Sequence, residues 1–272
     1  MNNRHFHRSP LATGTPAGAH LRRLRQQAGL SQLDLSLITG ISQRHLSCVE
    51  TGRANASPGT LHAVLSALEV PLEHSNEVFL AAGYAPRYRA SPLDAPGMEM
   101  VDSAISHILQ ANNPAPAIVI ASNWDITAAN ASAGLLFAMV GVPPGAETSL
   151  NLLTTLLCPG GLGDRLINID EIRAVAWQRA SREAASNPEL AELLHDIPSP
   201  AGLPVEATLS PVVLTRLNSE HGELSFLSTF TTFGMPLDIT VSSLRIEHLI
   251  PADPHTWQAM TAAYEQWLAT QA

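Results

Sequence analysis

Apolar residues fall at helical spacing through the first third of the chain and at strand spacing through much of the last. Between residues 17 and 82 they come in short runs, three and four apart, with brief connections. That pattern predicts a set of short helices. Leu21, Leu24 and Ala28 form one stripe. Ser31 is placed to cap the next helix, because its hydroxyl can accept from an unpaired amide of the first turn. This second helix is expected to run to about Thr39 and to bury Leu33, Leu37 and Ile38. Gly40 follows, where left-handed backbone costs glycine little. Ser42 can cap a third helix that turns Leu46 and Val49 inward.

Residues 1–16 carry Ser, Pro, Gly and Thr without apolar periodicity and read as a flexible tail. Residues 85–97 hold three prolines and a glycine and read as a linker. A helix is expected over 98–111, with Met98, Val101, Ile105 and Ile108/Leu109 on one side. From 117 the pattern changes: AIVIAS, Trp124-Asp125 and ITAAN suggest a hairpin. Helices are expected over 130–140, 148–157 and 168–186, the last stopped by Asn187-Pro188. Pro188 suits the first turn of another. VEATLSPVVLTRLN, ELSFLSTFTTFG and ITVSSLRIEHLI are rich in β-branched and aromatic residues and read as strands, with His221-Gly222 as a turn. Residues 254–271 read as a helix with Trp257, Met260, Tyr264 and Trp267 on one face. Together these predict an all-α N-terminal domain over 17–84, and an α+β domain over 98–272 built on an antiparallel sheet.

Composition narrows the function classes. With 45% apolar residues, the 272-residue chain can build real cores. It has no apolar stretch near the roughly 20 residues of a membrane span, and MNNRHFHRSP lacks the apolar segment of a secretory signal. A cytoplasmic protein without membrane contacts is therefore expected. Cys48 and Cys158 are too few for a disulfide framework or a thiolate metal site, and the histidines are scattered, so no metal is expected. The net charge of -9 is unevenly spread. Residues 1–90 hold nine arginines against five acids, a balance of +4, which leaves -13 for the rest; the chain has no lysine. A basic head on an acidic body fits a phosphate-contacting module.

The third helix carries the candidate chemistry. With Leu46 and Val49 inward, Arg44, Ser47, Cys48 and Thr51 fall opposite, and Gln43 sits in the first turn. No long apolar side chain blocks that face, so it can enter a major groove, where arginine pairs with guanine and glutamine with adenine. The amide ends of helices two and three, with Gln32, suit phosphate contacts that fix register. Two helices joined by a short glycine-containing turn make a helix-turn-helix unit.

Gly29-Leu30-Ser31-Gln32, Leu33, Leu37, Gly40, Ile41-Ser42, Leu46 and Glu50-Thr51-Gly52-Arg53 resemble the XRE, or lambda-repressor-like, helix-turn-helix. Ala56-Ser57-Pro58, Leu61, Leu65 and Leu68 resemble its fourth helix. The resemblance implies that Gln32, Gln43, Arg44 and Ser47/Cys48 face DNA, and that Arg25 and Glu50 pair to fix the recognition helix. With Ser42 and Arg53, these make the candidate DNA-contacting set. Ala82-Gly83-Tyr84-Ala85, Pro92-Leu93-Asp94-Ala95-Pro96, Trp124-Asp125, Asn130, Asn151-Leu152-Leu153, LSFLSTFTTFGMPLD and Leu249-Ile250-Pro251-Ala252-Asp253 are similar to the MmyB-like regulators. That likeness implies a PAS-like C-terminal domain holding an apolar ligand of the fatty-acid type.

In such a domain Trp124, Asn130, Leu135, Leu136, Phe137, Val140, Leu156, Phe226, Phe230 and Phe233 come from segments that would line a pocket. Apolar residues at this spacing equally build plain core, and Asn130 can simply cap a helix. A lipid carboxylate would want a charge-assisted donor; Arg173 and Arg179 on the long helix are candidates. The expected reading is a ligand-sensing regulator of double-stranded DNA acting as a homodimer, its two heads about 34 Å apart on a palindromic site. No cofactor is expected beyond a bound fatty acid. The alternative is a regulator whose second domain serves only dimerisation or protein contacts. No catalytic residue is assigned and no enzyme is expected. Glycine-flanked nucleophile, phosphate loop and metal-spaced histidines are all missing, and Glu247-His248, as strand neighbours, would face opposite ways.

Overall fold

The computed structural model describes residues 16–142, 150–184, 187–200 and 211–271. The chain forms two units. One comprises residues 1–90 with Leu237–Ile239; the other holds the remainder. The expected tail lies almost wholly outside the described residues. Among the described residues no helix is long and apolar enough to cross a membrane.

The first unit contains α1 (Pro16–Gln27), α2 (Gln32–Thr39), α3 (Gln43–Glu50), α4 (Pro58–Ala67) and α5 (Leu72–Ala81). Ser31, Ser42 and Ser57 each accept an amide of the first turn they precede, and Ser31 forms a capping box with Asp34. Gly40 closes α2 at φ 70°, a left-handed geometry that suits a residue lacking Cβ. Leu21, Leu35, Leu46, Val49, Leu61, Val64, Leu65, Val78 and Phe79 make the core. Each such side chain contributes roughly 1.5–3 kcal/mol when fully buried.

Two sequence expectations fail here. Leu33, Leu37 and Ile38 are 52%, 75% and 57% exposed, and Leu35 is the buried residue of α2. An eight-residue helix lying against α3 and α4 offers the core one narrow stripe, and Leu35 occupies it. Ala28 lies beyond the end of α1 and is exposed, so Leu21 is joined inward by Ala17 and Arg25 instead. The first residues of the expected linker fasten to this unit: Asn76 accepts from the amides of Arg87 and Tyr88 and donates to the Tyr88 carbonyl.

The second unit is built on a five-stranded, wholly antiparallel sheet in the order β2-β1-β5-β4-β3. Its strands are β1 (Ala117–Ile120), β2 (Ile126–Ala129), β3 (Thr215–Ser219), β4 (Gly222–Thr232) and β5 (Arg245–Pro251). Strand alternation sends Ala117, Val119 and Ile246 to one face, against Ile105 and Leu109 of α6 (Glu99–Asn112). Ile118, Ile120, Leu217, Leu224 and Phe226 face the main core. That core also takes α7 (Ala131–Met139), α8 (Leu152–Leu157), α9 (Ile169–Ala184) and α10 (Pro188–His195), together with Met260 of α12 (Pro254–Gln271). Burial on both faces explains why β1 reads as an unbroken apolar run.

The expected strand over 239–250 is corrected: Ile239–Ser243 form a short helix, α11. Pairing partners begin at Arg245, opposite Ile120 and Thr232. Among the described residues no strand pairs with Ile239–Leu244; the Leu244 amide bonds back to the Thr240 carbonyl and the Ile239 amide to the Arg89 carbonyl. The inward face of α12 is also different. Thr256 and Met260 are buried, whereas Trp257 is exposed and Tyr264 stacks on Trp267 at 5.7 Å. The start of the expected helix at 148 and the strand segment 205–210 lie outside the described residues.

Candidate DNA interface and ligand cavity

α3 is held from beneath by a buried ion pair. Arg25 donates from Nε to Oε1 of Glu50 at 2.6 Å and from Nη2 to Oε2 at 2.8 Å, while its Nη1 reaches the Leu30 carbonyl at 2.7 Å. Gln32 donates to Oε2 of Glu50 at 2.9 Å. Residues of α1, α2 and α3 thus converge on one carboxylate. Burial alone would push Glu50 up, but the hydrogen bonds from Arg25 and Gln32 and the Arg25 charge hold it below the usual glutamate value. The same hydrogen bond raises Arg25.

Outward from this clamp, Ser42, Gln43, Arg44 and Arg53 are exposed, and Ser47 and Cys48 are half-buried. Gly52 at φ 72° lets the Gly52 and Arg53 amides return to the Val49 and Cys48 carbonyls, which seals the end of α3 and leaves Arg53 beside it. Thr51, expected on the outer face, donates back to the Ser47 carbonyl at 2.6 Å. Gln32 commits one N–H of its side-chain amide to Glu50, so a phosphate partner would meet its second N–H or the backbone amides around it.

In the second unit, a cavity of about 150 Å³ lies between the sheet and α7, α8 and α9. Its wall is mainly aliphatic and aromatic: Ile118, Ile120, Leu136, Phe137, Leu152, Leu156, Leu217 and Leu249 are among the residues that line it. One end is polar. Arg179, Arg245, Glu247 and Ser228 border it together with Trp124 and Phe230. Glu183 ties this end together, accepting from Arg179 Nε at 2.9 Å, Trp124 Nε1 at 2.7 Å and Arg245 Nη1 at 2.9 Å. The Arg245 guanidinium lies 4.8 Å from the Trp124 ring and that of Arg179 4.0 Å from Phe230, within cation–π range.

The charges here are set by environment. Burial would raise Glu183, but the Arg245 charge and the three donors hold it below the usual range. Glu247 is enclosed with little compensation from Ser228, Arg179 and Arg245, and burial pushes its carboxyl up. Burial and the neighbouring Arg179 pull Arg245 down against Glu183, although a guanidinium stays protonated throughout the working range. Trp124 reaches its place from the β1–β2 turn at φ 70°, a left-handed conformation costing about 1–2 kcal/mol. Its buried ring and indole hydrogen bond offset that cost.

Residues 101–263, more than half of the chain, match the family described as the MmyB-like transcription regulator ligand binding domain, and residues 17–78 match a helix-turn-helix domain. The chain belongs to the MmyB-like transcription regulators. It combines a helix-turn-helix DNA-binding domain with a ligand-binding domain. An uncharacterized HTH-type transcriptional regulator, y4dJ, of Sinorhizobium fredii is 40% identical over 53 residues, 20% of this chain and 69% of that protein. The structure of an RNA-binding light-oxygen-voltage receptor aligns with 95% of this chain and 65% of its own, just under two thirds, at 12% identity. Its TM-score of 0.27 is too low to carry an argument.

Within this MmyB-like regulator the ligand residues named from sequence divide. Trp124, Leu136, Phe137, Leu156, Phe230 and Arg179 line the cavity. Val140 and Phe226 belong to the same core without bordering the space, and Leu135 does not border it either. Phe233 packs on the opposite face of the sheet with Ile105 and Leu109. Asn130 is a structural fastener: its Oδ1 accepts from Ala117 and Ala133, and its Nδ2 donates to the Leu109 and Ala115 carbonyls. Arg173 lies six residues before Arg179 on α9 and does not line the cavity. The sequence reading missed Arg245, Glu183 and Glu247. A signal existed for two of them: in Leu244-Arg245-Ile246-Glu247 the charges recur at every second position of an apolar strand, which places both on one face.

Proposed function

We propose that this chain is a ligand-responsive, sequence-specific regulator of double-stranded DNA, reading its site through α3 and sensing an apolar small molecule of the fatty-acid type. The observation that carries the sensing part is the aliphatic cavity with a charged end. A largely apolar space with a few converging polar groups is what small-molecule sites look like, and an acyl chain with an anionic head matches both ends. The strand order β2-β1-β5-β4-β3, with α7 to α10 gathered over the face that bears the cavity, supports a PAS-like reading of the domain. Gln43, Arg44, Ser47 and Cys48 on the outer face of α3, with Ser42, Gln32 and Arg53 at its margins, support the DNA reading. The chain works as a homodimer on this account and performs no catalysis.

Denaturing extraction of the purified protein followed by mass spectrometry tests the sensor. A co-purifying acyl chain, or displacement of one by an added fatty acid, is expected. A clean extract from a protein that also binds no fatty acid would favour a second domain that serves only dimerisation or protein contacts.

A further inference from the structure

We infer that Tyr84 is a positioning residue for DNA binding. Its hydroxyl fixes the loop between α3 and α4, so that Arg53 and Asn55 are presented to the duplex backbone beside the recognition helix. This rests on the DNA reading above and deepens it.

The loop, residues 51–57, reads Thr-Gly-Arg-Ala-Asn-Ala-Ser and carries no acid. Its exposure alternates. Arg53, Asn55 and Ser57 are exposed, Ala54 is half-buried and Ala56 is buried. Ala54 and Ala56 pack on the core of the first unit. Side chains that alternate in this way belong to extended backbone, so the polar ones form an outward row next to the end of α3. The Arg53 guanidinium enters no ion pair among the described residues. An exposed cation with a neutral amide donor two residues on suits phosphate oxygens, which are gripped without regard to base.

The row is tied down unevenly. The Arg53 and Ala54 amides both return to the Cys48 carbonyl, at 2.8 and 3.1 Å, which anchors the start of the loop to α3. Ser57 caps α4 and anchors the other end. Between these anchors, among the described residues, only Tyr84 makes a hydrogen bond to the backbone of Asn55 or Ala56: its hydroxyl donates to the Ala56 carbonyl at 3.0 Å.

Tyr84 is itself firmly held. Gly83 at φ 84° turns the chain after α5, and the Tyr84 amide bonds to the Phe79 carbonyl at 2.9 Å. Its ring packs on the same core as the two alanines. Just beyond it, Asn76 and His62 fasten Tyr88. Ordering a loose loop on DNA costs conformational entropy at the moment of binding, and a bond that fixes the loop beforehand removes that cost.

The test uses the full chain and Tyr84→Phe, which keeps the ring and deletes the bond. Fluorescence anisotropy over a range of salt measures affinity for two labelled duplexes, one of random sequence and one selected in vitro by the native protein. Tyr84→Phe is expected to weaken both by the same factor, about three- to tenfold, the worth of one hydrogen bond. The salt dependence should become shallower, by up to about one phosphate contact. Placed on an Arg53→Ala/Asn55→Ala background, the same change should cost much less, because the groups it positions are already gone.

A residue that only stabilises the fold would lower the melting temperature and leave the affinity of the folded protein unchanged; that result overturns the inference. So does a loss confined to the selected duplex, which would place the effect on base reading by α3, and so does a full loss repeated on the doubly substituted background. If the native protein binds neither duplex in a salt-dependent way, the DNA reading itself fails, and this inference fails with it.

Discussion

Removing Arg25 should loosen the DNA-binding unit far more than its position on a helix surface suggests. The side chains of Arg25 and Glu50 are 10% and 3% exposed and make two hydrogen bonds to each other. Arg25→Ala therefore strands a buried carboxylate with only Gln32 as donor. Breaking such a pair by deleting one member costs about 3–5 kcal/mol. Taking the lower end, because Gln32 remains, the melting temperature of a domain this size should fall by about 12 °C or more. The four tryptophans, Trp124, Trp177, Trp257 and Trp267, all lie in the second unit. Far-UV circular dichroism should therefore show an early helical transition in the variant, while tryptophan fluorescence melts where it did before.

DNA affinity should drop with the helical signal, on specific and random duplexes alike. The pairwise replacement Arg25→Met with Glu50→Leu removes both charges and should regain most of the lost stability. A shift below about 3 °C in Arg25→Ala would refute the argument. A paired replacement no more stable than Arg25→Ala would show that packing, not a stranded charge, governs the site. The sign with pH follows from the lowered Glu50. Its contribution is complete above the ordinary glutamate value of 4.5 and is lost as pH falls through the lower folded value.

Other expectations can be checked separately. Arg44→Ala should cost about 1–3 kcal/mol on the native operator and relax preference at one base pair; an equal loss on random DNA would mean that Arg44 contacts phosphate. Leu153 is fully buried in the main core of the second unit, so Leu153→Ala should lose about 2–5 kcal/mol of that unit's stability, read by tryptophan fluorescence in denaturant. A loss under about 1 kcal/mol would mean that the core collapses around the gap. Glu247 titrates with the opposite sign to Glu50: raised by burial, it contributes fully below the ordinary value, and that contribution fades as pH rises through the folded value. Glu247→Gln should therefore stabilise the second unit at neutral pH and have little effect in acid; destabilisation at neutral pH would show that the carboxylate is ionised and bound.

Much of this protein was legible from local chemistry. Caps and turns are written in neighbouring residues, so Ser31, Gly40, Ser42 and Asn187-Pro188 marked helix ends that the fold keeps. The polar outer face of α3 follows from the 100° step once Leu46 and Val49 are inward, and the Arg25–Glu50 pair came from family resemblance. The strand-rich segments gave the α+β class because side-chain alternation is a local property. Burial was less legible, since it depends on what lies opposite. Leu33, Leu37 and Ile38 are as apolar as Leu35, yet only the partner helices decide which of them is covered. The helix at Ile239–Ser243 likewise falls where, among the described residues, no strand lies alongside to pair with it.

The polar end of the cavity required tertiary structure altogether. Trp124, Arg179, Glu183 and Arg245 come from a turn, a helix and a distant strand. Their mutual charge and hydrogen-bond states arise only where those elements meet in a place sheltered from water. Sequence fixes which side chains carry charge; the packing of sheet against helix decides which of those charges are left without a partner.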